Sequence, residues 1–378
     1  MDYAGRLEQL NEGMIRSDLD GIVYGVGPNF HYFTGLPVSW QREAEPEEPA
    51  CLLVMASGSP PRVIIDRACA CADCTPTSPV EIEVAGSPDE LTRMLRGFLK
   101  GKRVGISRPA NPYLRGLVSQ AVPGAEIVDA EELGASLRVC KDADEIATLR
   151  EAVVLTDRVM EEVVDHIRPG ITQPQLEAMI AETGLALGAQ DVSFPSTALF
   201  VKSGTQPTED PFTYPPGKGL VPGTSVAFDF GFVLDGYCSD FGRSFYCGPA
   251  PGHISGAYRA LQESQCHLIS QMKPGLFTLG ELFGVIEEAL DERGYGDRLR
   301  ARLPDGNLGH QIGVDLHEDP WLRRGCDVPL KPGMVMAIEP KLWLPGEYYL
   351  RVEDIVLITD EGAESLTAFD REMFELPA

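Results

Sequence analysis

Apolar positions recur at helical spacing over residues 4–16, where Leu7, Leu10 and Met14 share one face. A short apolar strand follows at 21–24, and the aromatic-rich stretch 28–35 reads as a turn segment. Strand patterns occupy 50–55, 62–65 and 80–84, then a helix 89–99, a strand 103–106, a helix 113–121 and a strand 126–128. This alternation predicts a small α/β layer domain. Past residue 140 the period changes. Ile146, Leu149, Val153, Met160, Val163, Val164 and Ile167 recur at helical spacing over 141–167, stopped by Pro169-Gly170. Thr172 and Gln175 have capping-box form and open a helix that closes at Gly184 or Gly188. Further helices are expected over 255–272 and from Thr278 to about Gly294. The change of pattern places the expected domains at 1–138 and 139–378.

The stretch 226–243 organises the second region. It reads as two short strands around Leu234-Asp235-Gly236, since Asp-Gly between apolar runs signals a hairpin. Asp229 falls in the first strand and Asp240 in the second, eleven residues later. Both lie among apolar and aromatic neighbours, where an unpaired charge is costly. A cation would account for them.

The plan then repeats. Two helical patterns precede Pro222-Gly223, and two precede Pro332-Gly333. Six positions after each Gly comes an acidic residue, Asp229 in one copy and Glu339 in the other. A second acidic residue follows across a turn: Asp240 after eleven positions, Glu353 after fourteen. An internal duplication with two-fold symmetry brings all four carboxylates to one centre. Between the copies, His310 and His317 fall within a single segment bounded by Gly309 and Pro320. The candidate ligands are therefore Asp229, Asp240, His310, Glu339 and Glu353. One imidazole with four carboxylates is too oxygen-rich for a structural zinc site and suits Mn²⁺, Co²⁺ or Zn²⁺. Two such ions sharing carboxylates would activate water to hydrolyse a small C–N bond.

Composition narrows the partners. The chain has 378 residues, a formal net charge of −25 and a pI near 4.6, which argues against nucleic acid or an anionic membrane surface. Its hydrophobic content of 43% is ordinary for a globular protein. There is no apolar run of about eighteen residues, and the polar N-terminus lacks a signal-peptide core. A cytoplasmic location is expected. Nine Cys without an export signal do not suggest a disulfide framework. Cys69, Cys71 and Cys74 cluster without a second ligand group, and Cys238 and Cys247 read as packing residues.

At this point the chain resembles the pita-bread metallohydrolases, which include methionine aminopeptidase, aminopeptidase P, prolidase and the non-peptidase creatinase. The resemblance rests on Asp229 with Asp240, His310 with His317-Glu-Asp-Pro320, Ile338-Glu339-Pro340 and Arg351-Val-Glu353-Asp354. In the first region it rests on Asp20-Gly-Ile-Val23 and Asn29-Phe-His-Tyr-Phe-Thr-Gly35. It implies an α+β fold: a pita-bread catalytic domain with internal pseudo-two-fold duplication, preceded by a smaller α/β creatinase-like N-terminal domain. It implies two divalent metal ions, Asp240 and Glu353 bridging them, Asp229 on one and His310 on the other. Glu339 would be both ligand and general base. His317 would contact substrate or the tetrahedral intermediate. A homodimer is implied as well.

The resemblance has one gap. Peptidases of the family carry a further His 17–18 residues before the first Asp, where this chain has Phe212 and Pro211. Glu209, Asp210 and Tyr214 are the nearby residues that could take its place. Trp40-Gln-Arg42 sits where family members carry an aromatic-x-Arg element that reaches the active site of a partner subunit. Trp40, Arg42, Trp321 and Arg323 are therefore substrate-binding candidates, with Arg324 beside them. The leading expectation is an Xaa-Pro dipeptidase or aminopeptidase P-like hydrolase of small peptides. The alternative within the fold acts on a small zwitterionic metabolite, as an ectoine hydrolase, creatinase or sulfoniopropionate lyase does. A catalytically inactive binding protein is disfavoured, because the five-residue ligand set is intact.

Overall fold

A computed structural model describes residues 1–36, 51–67, 78–107, 112–299, 306–372 and 374–378. It divides into two compact units, Met1–Arg138 and Val139–Ala378. Among the described residues no helix is long and apolar enough to cross a membrane.

The first unit runs α1 (Tyr3–Arg16), β1 (Gly21–Gly25), α2 (Pro28–Thr34), β2 (Cys51–Ala56), β3 (Arg62–Asp66), β4 (Glu81–Ala85), α3 (Pro88–Phe98), β5 (Arg103–Ile106), α4 (Pro112–Ala121), β6 (Glu126–Asp129) and α5 (Glu131–Arg138). Its six strands form one mixed sheet in the order β4-β3-β2-β1-β5-β6. Val23, Leu52, Val54, Ile64, Val104 and Ile106 from the sheet pack against Leu91, Leu95, Leu114 and Val118 from α3 and α4. The expected turn at 28–35 is instead the helix α2. Pro28 stands in its first turn, where its missing N–H costs nothing, and Gly35 closes it in the left-handed conformation at φ 65°. Its aromatic residues are buried on every side, so no polar stripe marked it in the sequence. The last helix, α5, had no expected counterpart.

The second unit opens with α6 (Ala143–Val164) and α7 (Gln173–Ala186). Asp142 and Glu145 form a full capping box at α6, as Thr172 and Gln175 do at α7. Gly184 lies inside α7 rather than at its end. A Cβ there would meet Phe232 Cε1 at 1.9 Å, so only Gly lets that ring pack against the helix. The strands β7 (Asp191–Val192), β8 (Thr197–Lys202), β9 (Thr224–Asp229), β10 (Phe232–Leu234), β11 (Tyr237–Cys238) and β12 (Ser244–Cys247) follow. Next come α8 (Gly252–Gln271), α9 (Leu279–Glu292) and α10 (Gly296–Leu299). The chain ends in β13 (Gly309–Gln311), β14 (Val335–Ile338), β15 (Lys341–Leu344), β16 (Tyr348–Arg351), β17 (Asp354–Ile358), β18 (Ala363–Ser365) and β19 (Phe374–Leu376).

Two four-stranded sheets carry the duplication, ordered β19-β12-β9-β8 and β18-β17-β14-β13. In each, an inner strand leaves the sheet, makes a separate two-stranded excursion and returns to pair antiparallel with itself. β9 returns as β12 after the β10–β11 hairpin, and β14 returns as β17 after β15–β16. The stretch 226–243 is thus not one hairpin, as its pattern suggested. Asp235 and Gly236 do form its tight turn, with φ of 47° and 78°. However, β10 pairs with β7 of another sheet, and Asp240 lies in the link between β11 and β12, outside both strands. The switch occurs at Gly231, where a Cβ would meet the Ser239 carbonyl oxygen at 1.9 Å. Only a Gly lets the two backbones cross so closely. Each half has its own core. Val159, Ile180, Phe200, Val226, Phe228 and Phe245 pack in the first, and Leu261, Leu282, Ile286, Met336, Ile338 and Val356 in the second.

Candidate metal centre

The duplicated topology brings the candidate ligands to one place. Asp229 is the last residue of β9, and Glu339 stands immediately after β14. Asp240 precedes β12 and Glu353 precedes β17, each at the end of its excursion. A bridge between Gly242 and Glu353 joins the two halves, with Glu353 N donating to Gly242 O at 2.8 Å. His310 comes from β13, opposite Ala337 of β14.

Asp240, His310 and Glu353 are all buried and offer ligand atoms within 4.8 Å of one another. His310 Nδ1 lies 3.0 Å from the Gln311 carbonyl oxygen, an acceptor only, so Nδ1 carries the proton. That leaves the Nε2 lone pair free, 3.5 Å from Asp240 Oδ2 and 3.9 Å from Glu339 Oε1. Glu353 is fully buried, and neither of its carboxylate oxygens accepts a hydrogen bond. Arg351 Nε stands 3.0 Å from Glu353 Oε2 but off the hydrogen-bond direction. Burial, then the neighbouring Glu353 and Glu339, push Asp240 well above the usual carboxylate range. Burial raises Glu353 too, against the pull of Arg351. Orphaned oxygens, crowded carboxylates and a presented imidazole nitrogen are a donor set that a divalent cation fits.

The other two carboxylates are engaged differently. Arg351, from the end of β16, forms ion pairs with Asp229 and Glu339, and Lys341, from the start of β15, also binds Glu339. Burial works against the Glu339 charge, but Lys341 and His310 hold its carboxyl below the usual range. The sequence reading assigned no role to Arg351 or Lys341. Their signal was positional: Lys341 lies two residues after Glu339, and Arg351 two before Glu353, so strand alternation directs each pair to one side.

A second layer holds these groups. Arg243 Nη2 donates to Asp354 Oδ1 at 2.7 Å, while its Nη1 donates to the carbonyl of Glu353. Next to Asp240, Ser239 shares a 2.5 Å hydroxyl contact with Thr156 of α6. Lys141 Nζ donates to Gln311 Oε1 at 3.2 Å and Glu318 Oε2 at 3.0 Å, bracing the His310–His317 segment from behind.

His317 meets His310 edge-on, with ring centroids 4.5 Å apart. Trp321 stacks on His317 at 5.3 Å and lies 5.2 Å from His310. Burial, then the adjacent His310, push His317 down to about 4, so its imidazole is neutral at pH 7. Trp321 thus joins the imidazoles. Arg323 is exposed, bridging Asn307 through its backbone, and Arg324 pairs with Glu287 on α9. Trp40, Arg42 and the cluster Cys69, Cys71 and Cys74 lie outside the described residues. Cys238 and Cys247 are buried strand residues.

Where the further His was expected, Pro211 is buried and Phe212 exposed. Tyr214 donates its hydroxyl to Gly219 O at 2.8 Å, and Asp210 accepts from Phe212 N at 2.9 Å. Both serve their own loop. That loop walls a cavity of about 330 Å³ lined by Phe200, Lys202, Pro211, Tyr214 and Trp343. Trp343 shares its β15 face with Lys341, one strand repeat nearer Glu339.

The match to known proteins covers both units. Residues 147–360 match the model of metallopeptidase family M24, and residues 6–140 match the creatinase/prolidase N-terminal domain. A putative dipeptidase, YkvY, of Bacillus subtilis is 33% identical over 259 residues, 68% of this chain and 69% of the relative. A probable dipeptidase, PepE, of Mycobacterium bovis is 29% identical, covering 99% of this chain and 97% of its own. The crystal structure of dipeptidase PepE from Mycobacterium ulcerans superposes with a TM-score of 0.80 at 27% identity, covering 100% of this chain and 98% of that one. An Xaa-Pro dipeptidase structure from Bacillus anthracis shares the fold with a TM-score of 0.85 at 24% identity, covering 99% and 100%.

Proposed function

The chain belongs to the M24 metallopeptidases, and from that membership we propose an Xaa-Pro dipeptidase-type activity on small peptides. The observation that carries the reading is the buried Asp240–His310–Glu353 group, with both Glu353 oxygens lacking hydrogen bonds. Asp229, Asp240, His310, Glu339 and Glu353 are the residues that would hold two divalent ions, Mn²⁺ or Co²⁺ before Zn²⁺, given four oxygen ligands and one nitrogen. Bound there, such ions supply Lewis acidity toward the scissile carbonyl and toward water.

The chain's own groups do the rest. Glu339 is the general base: kept ionised by Lys341 and His310, its carboxylate accepts the proton of the attacking water and returns it to the leaving nitrogen. His317 is neutral and stacked on Trp321, so its orientation is set before substrate arrives. Its N–H donates to the oxygen on which negative charge develops. The cavity beside Trp343 mixes aromatic walls, from Phe200, Tyr214 and Trp343, with the ammonium groups of Lys202 and Lys218, a lining that suits a small peptide with a ring and a carboxylate. The dipeptidase names of the relatives at 33% and 29% identity favour this reading over hydrolysis of a small zwitterion. We also infer a homodimer in which Trp40 and Arg42 serve the neighbouring site.

The test is a hydrolysis assay with Mn²⁺ or Co²⁺ across Ala-Pro, Leu-Pro and Gly-Pro dipeptides, run beside small zwitterions. Turnover of an Xaa-Pro dipeptide that chelation abolishes is the expected result. A metal-loaded protein that leaves every dipeptide uncut ends the dipeptidase reading.

A further inference from the structure

In the β8–β9 ladder Asp229 is opposite Thr197, and Lys202 is opposite Thr224 at the other end. β8 therefore runs away from the centre, and at about 3.3 Å per residue its last residue stands about 17 Å from its first. The β15–β16 hairpin follows the same line. Tyr349, opposite Trp343, donates its backbone N–H to Ser225 Oγ at 3.4 Å, and Ser225 lies four residues before Asp229. Trp343 packs there with Leu199, Val201 and Ala227. Strand alternation puts Asp229, Ala227 and Val201 on one face of the ladder. The cavity walled by Val201, Trp343 and the loop after β8 thus opens on the face of the carboxylates, well along the strand from them.

Its charge runs against that of the chain. The protein has 57 acidic and 32 basic residues, so most cations have a carboxylate within reach. Among the described residues the cavity is lined by two lysines, Lys202 and Lys218, and by no acidic side chain. Lys202 Nζ donates to the Ser203 carbonyl at 3.1 Å, and Lys218 Nζ stands 5.3 Å from the centre of the Tyr214 ring. A carbonyl and a ring face solvate an ammonium but do not neutralise it. Tyr214 is itself fixed, with Phe200 edge-on to it at 5.4 Å and its hydroxyl on Gly219 O at 2.8 Å. Two uncompensated cations bordering one aromatic-walled cavity form a place for an organic anion.

We propose that this cavity is a subsite for the free carboxyl end of a peptide that continues one or two residues beyond the proline. This rests on the metallopeptidase reading and deepens it, because it sets the length and direction of the substrate. The amino end of a peptide carries the same charge as the lysines, so the carboxyl end is the one that the cavity accepts. Length follows from reach. An extended residue spans at most about 3.6 Å, so a dipeptide, with the proline alone past the scissile bond, ends far short of Lys202. Three residues past that bond span about 10 Å, and the lysine side chains cover the rest. Trp343 and Tyr214 offer flat faces to the side chains in between. The loop that has Pro211 and Phe212 where the further His was expected then serves substrate through Lys218.

The test uses the full-length protein loaded with Mn²⁺. Initial rates are compared for Ala-Pro, for the tetrapeptide Ala-Pro-Ala-Ala and for the C-terminal amide of that tetrapeptide, with wild type, Lys202→Met, Lys218→Met and Lys202→Arg. The wild type is expected to cleave the free-acid tetrapeptide with a kcat/KM about tenfold or more above that of the amide, chiefly through KM. Each Lys→Met substitution brings that ratio toward one, while Lys202→Arg, which keeps the charge, retains most of it. Acid and amide cleaved equally by the wild type overturn the proposal and leave the metallopeptidase reading standing. So does cleavage of Ala-Pro with neither tetrapeptide touched, and so does a ratio that both Lys→Met variants preserve. No peptide of any length cleaved, with Mn²⁺ bound, overturns the metallopeptidase reading as well. The wild-type ratio decides even where a variant fails to fold, and thermal melts of each variant show which have folded.

Discussion

Arg243 Nη2 lies 2.7 Å from Asp354 Oδ1, and both side chains are sealed from solvent. Arg243 closes the link that carries Asp240, and Asp354 opens β17 immediately after Glu353. The pair therefore fastens the two repeats at the point where each delivers a central carboxylate. Asp354→Asn takes the counter-charge from the buried Arg243 guanidinium and also from Arg371, whose Nε donates to Asp354 Oδ2 at 2.6 Å. Urea denaturation of the metal-free protein should show a loss of about 3–5 kcal/mol. Mn²⁺ affinity, measured separately, should fall by about 10–100-fold.

Lys141 and Glu318 form a second sealed pair, with side-chain exposures of 1% and 3%. Lys141→Met strands the Glu318 carboxylate beside Gln311 and should cost about 3–5 kcal/mol in chemical denaturation. Adding Glu318→Gln removes the stranded charge and should restore part of that loss. A double variant no more stable than Lys141→Met would show that the ion pair is not what braces the His310–His317 segment.

Glu339→Gln removes the proposed base while keeping its shape. Turnover of a prolyl dipeptide should fall by about 10²–10⁴-fold, with circular dichroism unchanged. Activity within a fewfold of wild type would move the base to another residue.

Asp157, on α6, predicts a pH dependence apart from the centre. Burial raises its carboxyl from 3.8 to about 6, opposed by the Ala368 N–H that Oδ2 accepts at 2.7 Å. Its folded-state pKa lies above the unfolded one, so protonation favours the fold. That contribution is present below about pH 4 and is lost as pH rises through about 6, by roughly 3 kcal/mol in all. Measured against Asp157→Asn, the wild type should lose melting temperature between pH 4 and pH 7. Parallel melting curves for the two proteins across that range would count against it.

Much of the fold is legible in one dimension because its signals are local. Capping boxes at Thr172 and Thr278 start helices where the pattern placed them. The repeated spacing from Pro222-Gly223 and Pro332-Gly333 pointed to the four carboxylates, because each repeat folds with the same strand–excursion–strand plan. The helix α2 was open to the same reading. Pro28 and Gly35 were its start and stop signals, but its all-round burial left no amphipathic stripe to see.

The sequence by itself determined which five side chains were candidates for the centre, since residue type and spacing are properties of the chain alone. Only the tertiary structure decided how they are held. Sheet exchange at Gly231 moved Asp240 out of its strand, hairpin register set Lys341 opposite Arg351, and packing laid Trp321 on His317. It also brought Lys141 to Glu318, 177 residues away. Such pairings follow from strand register and core packing, which depend on contacts between segments far apart in the chain. A charge read along the sequence carries no record of the partner that folding will bring to it.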